Sequence, residues 1–568
     1  MWYKFESRGS LYRASLTALL GLSLLLMACG DSSPAANSAV SPAVPTAVST
    51  TVLAVATTAA TSEATATPVV LPTNQPRTTI AAAAVNTVPA TNGRTTTTTI
   101  SNSATPARTA SNSSSVTPAR TAGSTTASAT SAAVATTLVA GTAATATKTP
   151  QLTALTGYPG KLSILGSDSY VYVSRFDGKP PQLLLGKAGV TVSATQDGEV
   201  FRFPTWSRDG SKLAAMGVNI KAGQADTVNV YVAAADGSGN YKVQDSDAVS
   251  PTYLSWSPDG NFLTLLMGVT GVGGLELRLA DTSKGAAGAK AVGLRKISQG
   301  NPVYTSWSAD SDGLLIHSRL NSTDTLSLVK AKDSNSTPQA LKLGGSPGSF
   351  RAPSWSADGN LLAFSTAQAN QNGESLIVQG KDGTIRGAAD GIGIGATFNW
   401  SPVGTKLAYS FHGNQDGIYE GISVSDLVGA DAPKNGKIST TKVVDSPVLA
   451  FFWSPDGKKL AYLNLNADES RAVWNTYDLD TRKSTKLAEW FPTNNLIQII
   501  NYFDQYAQSD SIWSPDSKAI VFTGWTNSTV SADGKAEGPA LVYVMPTEGS
   551  KAGQAQAIAV GSLAFWAK

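Results

Sequence analysis

The sequence contains little cysteine, histidine or charge for a chain of 568 residues. A single Cys excludes a disulfide framework. Charged residues make up 15% of the chain and the formal net charge is +3, so the composition argues against a protein that holds nucleic acid through phosphate contacts. The length exceeds what one ordinary core needs, and we expect several units or an array.

The N-terminus has the pattern of an export signal. Lys4, Arg8 and Arg13 flank an apolar run over residues 14–28, which is shorter than the roughly 20 residues of a membrane-spanning helix. The run ends at Cys29, the one thiol of the chain, and Leu-Met-Ala-Cys resembles the bacterial lipobox. That resemblance implies that residues 1–28 are removed and that Cys29 is acylated, which would anchor the protein to a membrane outside the cytoplasm.

Aromatic residues are absent from Asp31 to Pro150, where Ala, Thr, Ser, Val and Pro dominate. Such a segment buries too little apolar surface to offset the entropy of ordering it. We therefore predict a disordered stalk over residues 29–154, with a random-coil span of about 60 Å. The signal carries +2 and the stalk +3, so the remaining residues carry about −2, which leaves no basic stripe for DNA, RNA or anionic lipid.

A repeat occupies the rest of the chain, residues 155–568. The motif Trp-Ser-x-Asp-Gly, with some variation, recurs every 45 to 60 residues. Its tryptophans are Trp206, Trp256, Trp307, Trp355, Trp400, Trp453 and Trp513, and Trp566 follows in period. The Trp is predicted to end a strand, Ser-Pro-Asp-Gly to form a tight turn, and apolar residues two apart to form the next strand. A self-similar unit of this length indicates stacked supersecondary units.

Each repeat predicts four antiparallel strands, which is the blade of a β-propeller. The fold class is therefore all-β, with eight four-stranded blades, or seven if one repeat is degenerate. The C-terminal strand around Trp566 supplies the half-motif that the first blade, starting near Pro159, lacks. We expect it to join that blade and close the ring.

The segment from Trp453 to Tyr462, Trp-Ser-Pro-Asp-Gly-Lys-Lys-Leu-Ala-Tyr, resembles the repeat of TolB-like propellers. The repeat also resembles the propeller domains of dipeptidyl peptidase-type proteins. The resemblance covers about 410 residues and implies a propeller that binds a protein outside the cytoplasm. Because propellers host unrelated activities, the resemblance specifies the fold more than the function.

Catalytic and cofactor motifs are weak in this sequence. Gly344–Gly348 fits G-x-S-x-G, and Gly391–Gly395 has the glycine spacing of a phosphate loop, but both precede predicted strands where the chemistry needs a helix. His317 and His412 are interpreted as ordinary surface or core residues. Asp310 and its neighbour Asp312 are interpreted as turn residues, and the repeated Trp and Asp as structural. We therefore expect no catalytic residue, metal or cofactor.

One side of the ring is expected to collect the long loops, because the short Ser-Pro-Asp-Gly turns occupy the other side. Within the longest loop, residues 490–510, apolar residues recur at helical spacing after Thr493, which predicts a short amphipathic helix. This helix either plugs the ring as a lid or presents a binding face. The candidate binding face consists of Trp490, Phe491, Tyr502 and Tyr506.

The leading hypothesis is a lipid-anchored, non-catalytic module that binds a protein, peptide or glycan outside the cytoplasm. One alternative is a propeller hydrolase or lyase acting on an extracellular polymer, for which Asp504 and Asp510 are the local candidates. Another alternative is a structural subunit of an envelope complex.

Overall fold

The structure is a computed structural model that describes residues 150–568. Short stretches inside this range are not described, namely 188–196, 222–223, 248–249, 270–273, 286–293, 322, 344–346, 349–351, 369–372, 392–394, 413–417, 429–432, 434–435, 440, 469, 527–535 and 537. The predicted signal segment, Cys29 and the predicted stalk up to residue 149 lie outside the described residues.

The described part of the chain consists largely of antiparallel β-strands. The first three strands are β1 (Leu162–Gly166), β2 (Val171–Ser174) and β3 (Gln182–Leu185). The next four form a sheet in which neighbours in the chain are neighbours in the sheet: β4 (Gly198–Trp206), β5 (Lys212–Ile220), β6 (Thr227–Ala234) and β7 (Asn240–Asp247). The expectation of an all-β chain with four-stranded, propeller-type sheets is confirmed.

The same four-stranded sheet recurs along the chain. The second such sheet contains β8 (Ser250–Trp256), β9 (Phe262–Val269), β10 (Gly274–Asp281) and β11 (Leu294–Gly300). The third contains β12 (Val303–Trp307), β13 (Gly313–Leu320), β14 (Thr323–Lys330) and β15 (Gln339–Ala340). The fourth contains β16 (Ser354–Trp355), β17 (Leu361–Ala367), β18 (Glu374–Gly380) and β19 (Ile385–Asp390). The fifth contains β20 (Ala396–Trp400), β21 (Lys406–Phe411), β22 (Ile422–Asp426) and β23 (Lys442–Val444).

The remaining strands join β1–β3 in one sheet of ten strands. They are β24 (Ala450–Trp453), β25 (Lys459–Leu465), β26 (Ala472–Asp478), β27 (Lys483–Pro492), β28 (Ala519–Trp525), β29 (Leu541–Pro546) and β30 (Gln556–Trp566). Two long strands make the sheet continuous, because each pairs with one repeat and then with the next. Strand β27 pairs with β26 and then β28, and β30 pairs with β29 and then β1, where Leu162 lies opposite Trp566.

Two short α-helices interrupt the strands, α1 (Asn494–Asn501) and α2 (Phe503–Ser509), and two 3₁₀ turns lie at Thr282–Lys284 and Gly549–Lys551. Neither α-helix extends beyond eight residues. Among the residues described, no helix is long and apolar enough to cross a membrane.

The tight turn after each repeated Trp is held by its own side chains. In the turn after β4, Asp209 accepts hydrogen bonds from the Ser207 hydroxyl at 2.7 Å and from the Ser211 backbone N–H at 3.1 Å. Gly210 takes a φ of 64°, the left-handed region that favours glycine. The same Ser-to-Asp contact recurs in five further turns, at Asp259, Asp310, Asp358, Asp456 and Asp516.

Two turns have Ser where the others have Gly. Ser311 and Ser517 take φ angles of 62° and 61°, which strain a residue that carries a Cβ atom. Their hydroxyls accept hydrogen bonds from the backbone N–H groups of Asp259 (2.9 Å) and Asp456 (3.0 Å), which belong to the preceding repeat. This bond between repeats offsets part of the strain.

The repeated tryptophans tie consecutive repeats together. Each of five indoles donates from Nε1 to the backbone oxygen of the residue that precedes the Trp of the previous repeat. These pairs are Trp206 to Phe565, Trp256 to Thr205, Trp400 to Ser354, Trp453 to Asn399 and Trp513 to Phe452, at 2.9–3.2 Å. The buried Nε1 atoms of Trp307, Trp355 and Trp566 have no hydrogen-bond partner among the described residues.

The apolar core lies between neighbouring sheets. The apolar pairs that follow the turn are almost fully buried, as in β21, where Leu407 and Tyr409 are 0% and 1% exposed. Ala408 between them is also 0% exposed, so both faces of this strand are covered. A strand enclosed in this way buries large residues on one face and small ones on the other.

Candidate functional site

The aromatic residues predicted to form a binding face are mostly buried. Trp490 is 0%, Phe491 7% and Tyr506 6% exposed, while Tyr502, which separates the two helices, is partly exposed. Trp490 stacks on Trp474 with 5.3 Å between ring centroids, and its Nε1 donates to the Thr523 oxygen. The expectation that these side chains are exposed is wrong for Trp490, Phe491 and Tyr506. Trp490 pairs with Ala472 of its own sheet, and β27 continues into the next repeat from Phe491.

The helix predicted within residues 490–510 is present as α1 and α2. The Thr493 hydroxyl accepts a hydrogen bond from the Leu496 N–H, so the predicted cap begins α1. The same hydroxyl donates to the Ser562 oxygen in β30 at 2.6 Å, which fixes the start of the helix to the C-terminal strand. The buried residues of the two helices include Leu496, Ile500 and Phe503.

The two helices pack against the first strands of many repeats. Helix α1 contacts β30, and α2 contacts β8, β12, β20 and β24. The side-chain amide of Gln505 pairs with both peptide groups of Thr305 in β12: its Nε2 donates to the oxygen at 2.9 Å, and its Oε1 accepts from the N–H at 3.3 Å. Phe503 packs on Phe451 of β24 at 4.9 Å between centroids. These contacts bury α2 against the first strands of four sheets.

Asp510 follows α2 and is 8% exposed. Its Oδ2 accepts a hydrogen bond from the Ser509 hydroxyl at 2.7 Å, but its Oδ1 has no partner among the described residues. Burial raises the pKa of this carboxyl to about 6. The other member of the proposed catalytic pair, Asp504, is partly exposed and accepts from the Gln505 N–H at 3.0 Å.

The two histidines lie in local contacts within their own repeats. His317 is 2% exposed, and its Nε2 lies 3.2 Å from Asp324 Oδ1, while Arg319 donates to the other carboxylate oxygen at 2.7 Å. His412 packs on Tyr419 at 4.4 Å between ring centroids. In the described part of the chain, no group of three or more His, Cys, Asp and Glu side chains could hold a metal ion.

The remaining motifs are described only in part. Residues 344–346 of the G-x-S-x-G match and 392–394 of the glycine-spaced segment lie outside the described residues. Gly348 donates a backbone hydrogen bond to the Ser365 oxygen, which places it beside β17 rather than at the start of a helix. Asp310 accepts from the Ser308 hydroxyl and the Asp312 N–H, the contacts of a turn residue.

A cavity of about 830 Å³ lies between two neighbouring repeats. Its walls come from the β21–β22 loop at 418–420, the β23–β24 loop at 446–449, the β25–β26 hairpin, and β27 at Lys486 and Glu489. These loops are on the side opposite the Ser-Pro-Asp-Gly turns, where we expected the long loops to collect. The volume lies within the range of small-ligand sites.

Polar side chains of the cavity form a chain of amide contacts. Asn475, 8% exposed, donates from Nδ2 to Asn464 Oδ1 at 2.9 Å and to the Val473 oxygen at 3.2 Å. Asn464 donates in turn to the Pro447 oxygen and to the Ser446 hydroxyl. Sequence reasoning missed these residues; the signal was the alternation Asn-Leu-Asn at 464–466, where a buried strand emerges into polar sequence.

The fold and the cavity define the class of protein: an all-β chain built from propeller-type sheets, with a cavity on its loop side. No protein-family model matches the sequence, and no curated protein matches it.

Solved structures similar to this chain include TolB and propeller-containing peptidases. TolB from Acinetobacter baumannii is 14% identical over 58% of this chain and 63% of its own, with a TM-score of 0.31. The β-propeller domain of the Trilobed protease from Pyrococcus furiosus is 10% identical over 64% of this chain and 99% of its own (TM-score 0.39). Dipeptidyl peptidase 4 from Porphyromonas gingivalis is 13% identical over 72% of this chain and 60% of its own (TM-score 0.45).

The expected resemblance to TolB-like propellers and to dipeptidyl peptidase propellers is therefore confirmed. The chain matches less than two thirds of the length of the Acinetobacter TolB. Nothing about the activity or ligand of this chain follows from similarity at this level.

Proposed function

We propose that the described sheets are eight blades of one closed β-propeller. Two observations support this arrangement. Strand β30 leaves the last repeat and pairs with β1 of the first, and the short helix α2 contacts the first strands of four separate sheets. A strand shared between the two ends of the chain removes an exposed sheet edge, and helices in the central channel fill the space that the first strands enclose.

The propeller acts as a non-catalytic binding module for a protein, peptide or glycan. The observation that carries this proposal is the cavity of about 830 Å³ on the loop side, built from four segments of two neighbouring blades. Loops held by a rigid scaffold are where propellers and other β-folds place ligand contacts. The binding site is thus assigned to the cavity walls instead of the buried aromatic residues around Trp490.

The module works outside the cytoplasm on a lipid anchor. The Leu-Met-Ala-Cys sequence that ends at Cys29 supports acylation, and the Ala/Thr/Ser/Pro-rich segment over residues 29–154 supports a spacer between the bilayer and the propeller. The near-neutral charge supports a partner other than nucleic acid.

The test is capture of ligands from membranes and culture supernatant by the full-length protein and by two Trp variants. Ser446→Trp places a large side chain at the exposed edge of the cavity, and Val403→Trp is the matched control at an exposed turn position on the other side. We expect a ligand that the wild type and Val403→Trp retain and that Ser446→Trp loses. Retention by both variants would contradict the assignment, and turnover of an added polysaccharide or peptide would favour the hydrolase or lyase alternative.

A further inference from the structure

Most side-chain hydrogen-bond donors that line the cavity already donate to acceptors in the cavity walls. The amide groups of Asn464 and Asn475 bond to neighbouring oxygens as described above, and Asn466 donates to the Ser470 hydroxyl at 3.4 Å. Lys486 Nζ donates to Glu489 Oε1 and its side chain is 61% exposed, so it lies at the rim. A ligand therefore meets few free donors on entering.

Acceptors, in contrast, remain open. Asn475 is more than nine-tenths buried and lines the cavity, and its Oδ1 has no hydrogen bond from another described residue. Glu420, from the β21–β22 loop, also lines the cavity, and its carboxylate makes no hydrogen bond or ion pair within the part of the chain that the structure describes. An accessible amide oxygen without a protein donor can accept a hydrogen bond from a ligand that donates.

The charge of the cavity also favours a ligand that donates hydrogen bonds. Among the described lining residues, the charged groups are the carboxylates of Glu420 and Glu489 and the ammonium of Lys486, which sum to one net negative charge. Because the rim pair Lys486–Glu489 is internally compensated, the uncompensated charge is that of Glu420. A cation that donates several hydrogen bonds fits such a wall better than a neutral or anionic group.

The apolar part of the lining sets the shape of that cation. Leu449, Leu465 and Val473 contribute aliphatic surface beside the polar wall. Lysine and arginine side chains combine an apolar stem with a charged end, and they bury the stem along such surface. The one aromatic among the described lining residues, Tyr419, is 7% exposed, so the cavity offers no open ring face of the kind that stacks on a sugar.

We propose that this cavity binds an arginine or lysine side chain of a peptide segment in a partner protein. The inference rests on the proposed binding function and narrows it from protein, peptide or glycan to a basic peptide. Glu420 and Asn475 Oδ1 accept from the cationic end, and Leu449, Leu465 and Val473 contact the stem.

The test measures binding of short fluorescent peptides to the full-length protein by anisotropy. The probe is an acetylated, amidated Ala-Ala-Ser-Arg-Ser-Ala-Ala peptide, and matched peptides carry lysine, glutamate or citrulline at the central position. Citrulline keeps the shape of arginine and removes its charge. We expect the arginine and lysine peptides to bind about tenfold or more tightly than the citrulline peptide, and the preference to shrink at high salt.

Two variants place the effect at the cavity. Glu420→Gln is expected to weaken binding of the arginine peptide about tenfold and to leave the affinity for the citrulline peptide unchanged. Glu548→Gln is the matched control, because Glu548 pairs with Lys459 away from the cavity, and it is expected to change neither. If Glu420 acted only through the stability of the protein, Glu420→Gln would weaken binding of the arginine and citrulline peptides equally.

Three results would overturn the inference. The first is equal affinity for the arginine and citrulline peptides, and the second is an equal effect of Glu420→Gln and Glu548→Gln. The third is displacement of the captured ligand by maltoheptaose with no peptide binding. If Ser446→Trp still abolishes capture in any of these cases, the basic-peptide inference fails and the proposed function stands. If capture is independent of Ser446→Trp, the proposed function itself fails.

Discussion

Replacing the buried carboxylate of Asp510 should stabilise the protein at neutral pH. The side chain is 8% exposed, one oxygen has only the Ser509 hydroxyl as partner, and the other has none among the described residues. Asp510→Asn keeps the shape and removes the charge, so it removes the cost of holding an ionised group out of water.

The size of the effect follows from the pKa. Burial raises the pKa of Asp510 from 3.8 to about 6, so the folded state prefers the protonated form. The contribution of Asp510 to the free energy of unfolding is therefore most favourable below pH 3.8. It is lost as the pH rises to about 6. A shift of this size corresponds to an upper limit of about 3 kcal/mol at pH 7. Asp510→Asn should thus gain about 1–3 kcal/mol at pH 7 and little at pH 4.

The assay is urea unfolding followed by tryptophan fluorescence at pH 4, 5, 6 and 7. The quantity compared is the difference in free energy of unfolding between variant and wild type, which should grow between pH 4 and 6 and stay flat above. Asp310→Asn is a control of opposite sign, because hydrogen bonds from Ser308 and Asp312 lower the pKa of Asp310. That variant should lose stability at pH 7, and the loss should fade in acid. A destabilised Asp510→Asn at pH 7, or a difference independent of pH, would refute the reasoning.

Three further predictions concern the repeat and the anchor. Trp453→Phe removes the donor to the Asn399 oxygen and should lower the free energy of unfolding by about 1–3 kcal/mol, measured by circular dichroism. Trp355→Phe, whose Nε1 has no partner among the described residues, should lower it less. Ser517→Ala should cost about 1–2 kcal/mol, more than Ser517→Gly, because alanine keeps the strained φ of 61° and loses the bond between repeats. Cys29→Ser should abolish labelling with palmitate and move the protein from the membrane to the soluble fraction.

Each of these predictions has a result that contradicts it. Equal losses for the two Trp variants would mean that the indole hydrogen bond adds nothing between repeats. A Ser517→Gly variant less stable than Ser517→Ala would mean that the strain at this turn is negligible. Palmitate incorporation that persists in Cys29→Ser would mean that Cys29 is not the acylated residue.

Much of the fold was readable from the sequence because it repeats. The Trp-Ser-x-Asp-Gly motif carries the turn chemistry in its own side chains, so each copy predicts the end of one strand and the start of the next. Most of the strands predicted to end at the repeated Trp are present, as in β4, which ends at Trp206, and β20, which ends at Trp400. The number of blades and the closure of the ring stay predictions that the pairing of β30 with β1 supports.

The candidate site was less readable, for physical reasons. Trp490 looked like a loop residue because β27 is a long strand that keeps pairing with its own sheet up to Trp490 and then enters the next sheet at Phe491, which no local pattern signals. The role of Gln505 depends on Thr305, a residue 200 positions away, so it follows from contacts between distant parts of the chain. The cavity likewise needs loops from two repeats side by side, and its polar residues resemble ordinary loop residues in the sequence.

The most direct test of the central claim, that ligand binds in the cavity on the loop side, is photo-crosslinking in living cells. A photoreactive amino acid is placed at position 465, where Leu465 lines the cavity, or at position 403, where Val403 is 56% exposed on the turn side. The account predicts a specific adduct from position 465, lost when Ser446→Trp is added, and none from position 403. Adducts from position 403 alone, or adducts from position 465 that survive Ser446→Trp, would contradict it.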